Sequence, residues 1–442
     1  MDLYTINLEN WKNTYSSLIE SNTLPMLNVG ADETQVSLCW HAPKETALAQ
    51  VMLSVNEDMS DAIAFEGKIT EAENDFQSVC RVNITGLKEN TTYYYQWNTG
   101  NGWSSIQKYE TKSFISHKAV IFGDIQIVQI HDGDNSEQLK ESNYWNNVLE
   151  KALADSPDIA YLLSPGDNTN TGKSKEEWQS FLMPPSLRSL PQALAIGNHD
   201  KKGKTYHYYT NMPNEYYGKG FFGLDRDFWF RYGDVLYLVF DSTSGSAPDH
   251  MAMAKEAVAK NRDVKWRIGL IHHGIYGAGD CIGDKETEIL LNSIFTPIFE
   301  SFDLDLVITG HTHSQGRSHF MKKRKIVGRA ENGKTYKDPE GIVYINANSV
   351  CGKVVMDYEA DYLAYAFMEN DVTTYTTLEY KDNQLILETR RGDSGALLDS
   401  ITLERTRVHN ENSTANKLRR ITYKPIEFAG WAYNKIVKLL TK

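Results

Sequence analysis

Five short segments of this chain end in side chains of the kind that bind metal ions. They are Gly123-Asp124-Ile125-Gln126, Gly166-Asp167-Asn168, Gly197-Asn198-His199-Asp200, His272-His273 and Gly310-His311-Thr312-His313. Carboxylate, amide and imidazole groups in one site suit Zn, Fe or Mn. Each segment is a weak signal by itself, because a single Gly-Asp pair is most often a turn. All five in one chain predict a metal site.

Each of these segments follows a short apolar run within two residues, and each run predicts a buried strand. The runs are 119–122, 159–163, 193–196, 268–271 and 306–308. Apolar runs without alternation are typical of strands covered on both faces of a sheet. In such sheets, ligands gather outside the carboxyl ends of the strands. We therefore expect five strands to deliver the segments to one edge.

Taken in order, the segments resemble the metallophosphoesterase (calcineurin-like phosphoesterase) superfamily. Its pattern runs Asp-x-His, Gly-Asp, Gly-Asn-His-(Asp/Glu), His and Gly-His-x-His, and the resemblance covers roughly residues 118–320. A looser resemblance precedes it: segments 25–30, 36–40 and 84–95 look like the fibronectin-III-like domain found before the catalytic domain of purple acid phosphatases. Together they imply a four-layer α/β/β/α sandwich preceded by a small all-β sandwich.

The resemblance also implies a dinuclear metal centre of Fe, Zn or Mn, with Mg as a further option, in which Asp167 bridges both ions. One ion would take Asp124, Asp167 and His313, with Gln126 beside them; the other would take Asp167, Asn198, His272 and His311. His272 and His273 compete for a single ligand position. The superfamily places the metal on the first histidine of such a pair, which favours His272.

The remaining polar residues of the segments are assigned to catalysis and substrate binding by the same resemblance. His199 would protonate the leaving group or stabilise the transition state, and Asp200 would orient the His199 ring. Asn168, His199 and His273 are predicted to contact the substrate.

Two positions depart from the pattern. Gln126 stands where the superfamily usually has histidine, so the first ion is expected to bind weakly or to be a harder ion such as Mn or Mg. Asn170 stands where purple acid phosphatases carry the tyrosine that gives them their colour. The sequence therefore predicts a colourless enzyme.

Along the chain, four regions are predicted: a helical arm at 1–24, a fibronectin-III-like domain at 25–115, a catalytic domain at 116–405 and a tail or helix at 406–442. Strands alternate with helix-like stretches in the catalytic region, which indicates a layered α/β domain. Strands at 235–240, 341–345, 372–379 and 384–389 are expected to complete a second sheet. Periodicity alone does not distinguish this arrangement from a doubly wound sheet.

Composition limits the partners of the protein. A net charge of −12 over 442 residues argues against a broad nucleic-acid-binding surface. No run is long and apolar enough to span a bilayer, and no secretory signal is visible. The resemblance favours an exported protein whose signal is absent from this chain; a cytoplasmic protein is the alternative. Cys39 and Cys80 could form a disulfide, although two reduced thiols are favoured.

The predicted function is hydrolysis of a small phosphate monoester by a hydroxide formed on the two metal ions. A phosphodiesterase using the same site is the main alternative. A second alternative is a surface binding protein in which the phosphoesterase domain is a degenerate scaffold. Gln126 favours this alternative. The presence of Asp167, Asn198, His311 and His313 argues against it. The sequence leaves the oligomeric state open.

Overall fold

The computed structural model describes most of the chain. The described residues are 3–18, 21, 23–72, 77–128, 135–201, 204–216, 226–278, 285–351, 360–367, 369, 372–406 and 409. Apart from 406 and 409, the predicted tail at 406–442 lies outside them, as does Cys281. None of the helices in the described part is long and apolar enough to cross a membrane.

The predicted N-terminal arm contains helix α1 (Leu8–Tyr15). Its Trp11 is buried in a small cluster with Leu139 and Met183 of the catalytic region. The indole also packs against the ring of Tyr15, with 4.3 Å between ring centroids. The arm is therefore held by apolar burial against the body of the protein.

The next region is a small β-sandwich, as predicted. Its strands are β1 (Met26–Val29), β2 (Val36–Ala42), β3 (Gln50–Ser54), β4 (Ile63–Glu66), β5 (Lys68–Thr70), β6 (Ser78–Ile84), β7 (Thr92–Trp97) and β8 (Gln107–Glu110). One layer has the order β1-β2-β6-β5 and the other β4-β3-β7-β8. Alternate residues of β7, Tyr93, Tyr95 and Trp97, point into the shared core, as the two-residue period of a strand requires.

The two cysteines of this sandwich are both free thiols. In the β2–β6 pairing, Cys39 lies opposite Arg81 and Trp40 lies opposite Cys80. Directly paired residues share a face of the sheet, and successive residues alternate faces. Cys39 and Cys80 therefore point to opposite faces, which a disulfide cannot join.

The catalytic region contains the remaining strands and helices. The strands are β9 (His117–Ile121), β10 (Ile159–Ser164), β11 (Gln192–Leu194), β12 (Phe228–Tyr232), β13 (Val235–Phe240), β14 (Trp266–Ile271), β15 (Leu306–Thr309), β16 (Gln315–Ser318), β17 (Phe320–Lys322), β18 (Lys325–Gly328), β19 (Lys334–Lys337), β20 (Val343–Asn346), β21 (Leu363–Phe367), β22 (Thr374–Lys381), β23 (Gln384–Arg391) and β24 (Leu397–Glu404). The helices are α2 (Ser136–Asp155), α3 (Lys175–Leu182), a 3-10 turn (Pro185–Arg188), α4 (Thr205–Tyr209), α5 (Ala247–Lys260) and α6 (Lys285–Ser301).

These elements form the predicted four-layer sandwich. The first sheet has the order β19-β24-β23-β22-β9-β10-β11-β1-β2-β6-β5, and the second has the order β12-β13-β14-β15-β20-β16-β21. The sheets face each other, and the hydroxyl oxygens of Tyr161 and Tyr237 lie 2.7 Å apart between them. Helix α2 covers the outside of the first sheet, where Trp145 meets Phe122. Helices α5 and α6 cover the second, where Phe295 meets Phe240.

The sheet assignment corrects one sequence prediction. β13 and β20 do belong to the second sheet, but β22 and β23 do not. β22 instead pairs antiparallel with β9, with Leu378 opposite Ala119, and so extends the first sheet. The order of strands along the chain does not show which sheet a later strand joins. The sequence pattern of β22 and β23 was therefore compatible with either sheet.

The small sandwich is also joined to the catalytic sheet. β1 pairs in parallel with β11, Asn28 lying opposite Gln192, so that one sheet runs through both regions. The Asn28 amide donates to the Gln192 carbonyl at 3.1 Å and its side-chain oxygen accepts from the Asn211 amide at 2.9 Å. The predicted boundary near residue 115 therefore separates two sequence patterns without interrupting the sheet.

Candidate metal centre

The five ligand-bearing segments meet where the carboxyl ends of the two sheets face each other. β9, β10 and β11 are parallel neighbours in the first sheet, and β14 and β15 are parallel neighbours in the second. Two hydrogen bonds join the edges: the His311 amide donates to Asp124 Oδ2 at 2.8 Å, and His272 Nδ1 donates to the Pro165 carbonyl at 3.2 Å. The predicted single edge is therefore a seam between two sheets.

The backbone at this seam is left-handed at five of the predicted ligands. The φ angles are 37° at Asp124, 45° at Gln126, 52° at Asp167, 72° at His311 and 52° at His313. Such angles are uncommon outside glycine, and Asp and His tolerate them better than most residues. Their cost is on the order of 1–3 kcal/mol each, and they concentrate where side-chain direction matters for function.

Two glycines of the segments make room for carboxylates of other segments. A Cβ atom on Gly197 would overlap Oδ1 of Asp167, and one on Gly310 would overlap Oδ2 of Asp124. Any side chain at either position would push the carboxylate out of the site. The glycines therefore reflect the close approach of neighbouring loops.

The second predicted ligand set converges on Nε2 of His272. This nitrogen lies 3.1 Å from Asp167 Oδ2, 2.9 Å from Asn198 Oδ1 and 3.2 Å from His311 Nδ1. Because Nδ1 of His272 donates to the Pro165 carbonyl, Nε2 is the nitrogen that faces the cluster. Ligand atoms of Asp167, His272 and His311 all lie within 4.8 Å of one another, close enough to hold one ion.

Beside this cluster lies part of the first predicted set. Asp124 is fully buried, and its Oδ1 lies 3.6 Å from His313 Nε2. Among the described residues, no donor reaches that oxygen. The Gln126 amide is directed to Oδ1 of Asn170 at 3.3 Å. A buried carboxylate oxygen without a donor, next to an imidazole nitrogen, fits a bound cation.

The electrostatics of the cluster also fit a cation. Burial would by itself lower the pKa of His272, but the Asp167 and Asp124 carboxylates raise that pKa to about 9. Burial raises the pKa of Asp124 to about 8, whereas His272 and His199 outweigh burial at Asp167 and hold its pKa below the usual range. In this state, the buried negative charge is balanced by protons that a metal ion would replace.

We expect metal binding to release protons and to strengthen as the pH rises. His272 and Asp124 hold protons at pH 7 because their pKa values, about 9 and about 8, lie above it. A metal ion must displace these protons, so affinity should rise between about pH 6 and about pH 9 and then level off. Calorimetric titration of metal-free protein with Zn or Mn, in buffers of different ionisation enthalpy, measures the release. An affinity independent of pH over this range would contradict the assignment of His272 and Asp124 as ligands.

His199 lies at the mouth of the cluster, and its side chain is 36 % exposed. Its Nδ1 lies 2.7 Å from the Asn170 carbonyl, which can only accept, so Nδ1 carries a proton. Nε2 is then the nitrogen that faces the site, 4.0 Å from Asp167 Oδ2. The His199 backbone amide donates to the other oxygen of Asp167 at 2.8 Å.

Asp200 does not orient His199, contrary to the prediction. Its buried carboxylate accepts hydrogen bonds from the backbone amides of Gly197, Asn168 and Thr169, at 3.0–3.1 Å. Asp200 therefore ties the loop after β10 to the loop after β11. The carbonyl that orients His199 belongs to Asn170. Because every residue has a backbone carbonyl, the sequence does not show which of them will contact His199.

Asn168, predicted to contact the substrate, lies in the interior behind the site. Its side chain is fully buried, accepts from the Ser164 hydroxyl at 2.7 Å and donates to Asp200 and to the Ala195 carbonyl. With these partners, it supports the Asp200 loop connection. We therefore do not retain Asn168 as a substrate contact.

Sequence reasoning missed Asp241 and Ser242, which follow β13. Ser242 contacts the imidazole of His273, with 2.8 Å between Oγ and Nδ1. The signal was available, because 235–240 is an unbroken apolar run followed by a carboxylate and a hydroxyl, the same pattern as in the five segments. The run was interpreted only as a strand of the second sheet.

Comparison with known families agrees with this geometry. Residues 117–315 match the model of the calcineurin-like phosphoesterase family, and residues 24–111 match that of the purple acid phosphatase N-terminal domain. Residues 117–315 are therefore a calcineurin-like phosphoesterase domain, which supports a phosphoesterase, a hydrolase of a family that binds divalent metals. No curated protein sequence matches the chain significantly.

Two solved structures have a fold similar to that of this chain. The purple acid phosphatase PPD1 of yellow lupin (Lupinus luteus) is 15 % identical with a TM-score of 0.69, the match covering 87 % of this chain and 75 % of that one. A structure of PhoD is 11 % identical with a TM-score of 0.58, and the match covers 93 % of this chain and 98 % of that one. At such identities the likeness concerns the fold alone.

Proposed function

We propose that this protein is a dinuclear-metal phosphohydrolase that cleaves phosphomonoesters. The observation that carries the proposal is the convergence of Asp167, Asn198 and His311 on Nε2 of His272, with the buried Asp124 carboxylate and His313 directly beside them. A structural role does not require six such groups turned toward one another, four of them on strained backbone.

In this proposal Asp167 lies between two ion positions. Asp124, Asp167 and His313, with Gln126 beside them, would hold one ion; Asp167, Asn198, His272 and His311 would hold the other. Bound ions of this kind neutralise phosphoryl oxygens and acidify water. His199, fixed by the Asn170 carbonyl, would direct Nε2 toward the substrate; Nε2 takes up a proton from water, and the resulting imidazolium gives that proton to the leaving oxygen. His273 contacts the phosphoryl group from the side of β13.

Phosphodiesters are the alternative substrates, because the same residues would serve both reactions. The degenerate-scaffold alternative is disfavoured by the assembled cluster, since a scaffold gains nothing from a buried carboxylate oxygen without a donor, such as Oδ1 of Asp124. Export from the cytoplasm stays a prediction. The three described thiols, Cys39, Cys80 and Cys351, are all free, so no disulfide among them argues for an oxidising compartment.

A substrate panel tests the proposal directly. The protein is stripped with a chelator, reloaded with Mn, Zn, Fe or Mg, and assayed with p-nitrophenyl phosphate and bis(p-nitrophenyl) phosphate. We expect metal-dependent turnover with the monoester exceeding that with the diester. The reverse preference would identify a phosphodiesterase. Absence of turnover with every metal, despite stoichiometric metal binding, would favour the scaffold.

We expect the iron-loaded protein to be colourless. A purple band needs a phenolate on Fe(III), and the tyrosine position is taken by Asn170, whose side-chain oxygen accepts from the Gln126 amide. Visible spectra of the iron-loaded protein test this expectation, and a purple wild-type protein would contradict the ligand set.

Gln126→His should tighten binding of the more weakly bound ion, because imidazole is a better donor to Zn or Fe than an amide. Metal titrations of the wild type and the variant measure this effect. An affinity unchanged by Gln126→His would contradict the ligand set.

A further inference from the structure

The imidazole of His273 is held by one neighbouring hydroxyl group. β13 and β14 run in parallel with Phe240 opposite Ile271, so the residues after them, Ser242 and His273, also come together. Ser242 Oγ lies 2.8 Å from His273 Nδ1 and accepts a hydrogen bond from the His273 backbone amide at 3.1 Å. Ser242 is 2 % exposed, so water does not compete for these contacts.

The pair of contacts decides which ring nitrogen carries the proton. A serine hydroxyl has one proton to donate, and the amide of His273 already uses Oγ as an acceptor. If Nδ1 also donated to Oγ, the buried hydroxyl proton would have no acceptor among the residues that the structure describes, which costs about 1–3 kcal/mol. The hydroxyl therefore donates to Nδ1, and the ring proton of neutral His273 lies on Nε2.

The ring lies against the metal cluster. Its centroid is 4.6 Å from that of His311 and 5.1 Å from that of His272. His273 is partly exposed, unlike the fully buried His272. Neutral His199 has the opposite tautomer, since its Nδ1 holds the ring proton and its Nε2 is free to take up the proton that passes to the leaving oxygen. The two neutral histidines thus differ in which ring nitrogen carries the proton.

We infer that Ser242 is a positioning residue that holds His273 as its Nε2–H tautomer, so that His273 donates a hydrogen bond to a non-bridging oxygen of the bound phosphoryl group. This inference rests on the proposed function for its substrate, whereas the tautomer rests on Ser242 alone. His199 transfers a proton to the leaving group. His273 supplies a fixed hydrogen-bond donor, Nε2–H, which keeps its proton during turnover.

The tautomer can be observed without substrate or metal. Two-dimensional ¹H–¹⁵N spectra of the metal-free protein labelled at histidine distinguish a protonated Nε2 from a protonated Nδ1, and His273→Gln identifies the His273 signals. We expect the Nε2–H form in the wild type and in Ser242→Thr, and loss of that single form in Ser242→Ala. An Nδ1–H form in the wild type would overturn the inference.

Turnover of p-nitrophenyl phosphate by the metal-loaded protein gives the second readout. A glutamine amide reaches about as far as Nε2 and an asparagine amide about as far as Nδ1, so His273→Gln should retain more activity than His273→Asn. We expect His273→Asn to lower kcat and weaken inhibition by inorganic phosphate about 10-fold or more, the effect of one hydrogen bond to a charged group. Metal content should not change, because His272 remains.

A combined variant separates positioning from folding. In the His273→Gln background there is no tautomer to set, so adding Ser242→Ala should cost much less kcat than it costs alone. Equal costs in both backgrounds would overturn the positioning role. If no variant, including the wild type, hydrolyses the ester but the spectra give the Nε2–H form and phosphate still binds more weakly to His273→Asn, the proposed function fails and the inference stands.

Discussion

Asp167→Asn is expected to abolish hydrolysis while leaving the fold intact. The substitution removes the charge that both proposed ion positions share, so both ions should bind more weakly. Loss of one preorganised electrostatic group commonly costs about 10²–10³-fold, and loss of a shared ligand should exceed the upper figure. The isosteric amide opens no cavity, and its oxygen can still accept from the His199 amide that now lies 2.8 Å from Asp167 Oδ1.

Turnover, metal content and urea unfolding of the metal-free protein test this prediction together. Asp263→Asn is the matched control, because Asp263 makes an exposed ion pair with Arg231 at 2.8 Å, and such pairs contribute about 0–1 kcal/mol. The control should keep full activity and metal. If Asp167→Asn kept both ions and most of its turnover, Asp167 would not be a shared ligand.

His199→Ala should lower turnover about 10²–10⁴-fold, as expected for a positioned acid–base group, and should leave metal content unchanged. The reason for the difference from Asp167→Asn lies in the backbone. It is the His199 amide, which alanine retains, that contacts Asp167, whereas the ring touches the Asn170 carbonyl. The ring is 36 % exposed, so its removal leaves no buried cavity.

A comparison of substrates sharpens this second test. If His199 protonates the leaving oxygen, His199→Ala should affect an alkyl phosphate, whose leaving group is a strong base, more than p-nitrophenyl phosphate, whose leaving group is a weak one. Equal losses on both substrates would argue for transition-state stabilisation in place of proton transfer. Loss of metal as complete as in Asp167→Asn would show that His199 is a ligand.

The composition of the site was predictable because metal-binding chemistry uses few side-chain types. Carboxylates, an amide and imidazoles directly after apolar runs indicated five strand ends, and Asp124, Asp167, Asn198, His272 and His311 do lie together. The β-sandwich was equally predictable from the sequence. Apolar and polar residues alternate along β7, and this alternation buries Tyr93, Tyr95 and Trp97. In both cases the local pattern itself causes the structure.

The contacts that hold the side chains of the site in place were not predictable in the same way. Asp200 was expected to orient His199, but the Asn170 carbonyl does so and Asp200 holds loop amides instead. Every residue has a carbonyl and an amide, so residue types say nothing about which backbone group lies within reach. Ser242 was missed for a related reason: its partner His273 lies 31 residues away and meets it only through the pairing of β13 with β14.

By itself, the sequence determined the types of ligand, their order along the strands, the small sandwich and the layered catalytic region, because each follows from periodicity or from short segments of contiguous chain. Only the tertiary structure decided that the predicted ligands meet between two sheets, that β22 and β23 extend the first sheet, and that β1 joins β11 across the predicted domain boundary. Strand pairing is made by backbone hydrogen bonds and by complementary apolar faces, which many alternative partners could satisfy locally. The choice among them is made by the packing of the whole molecule.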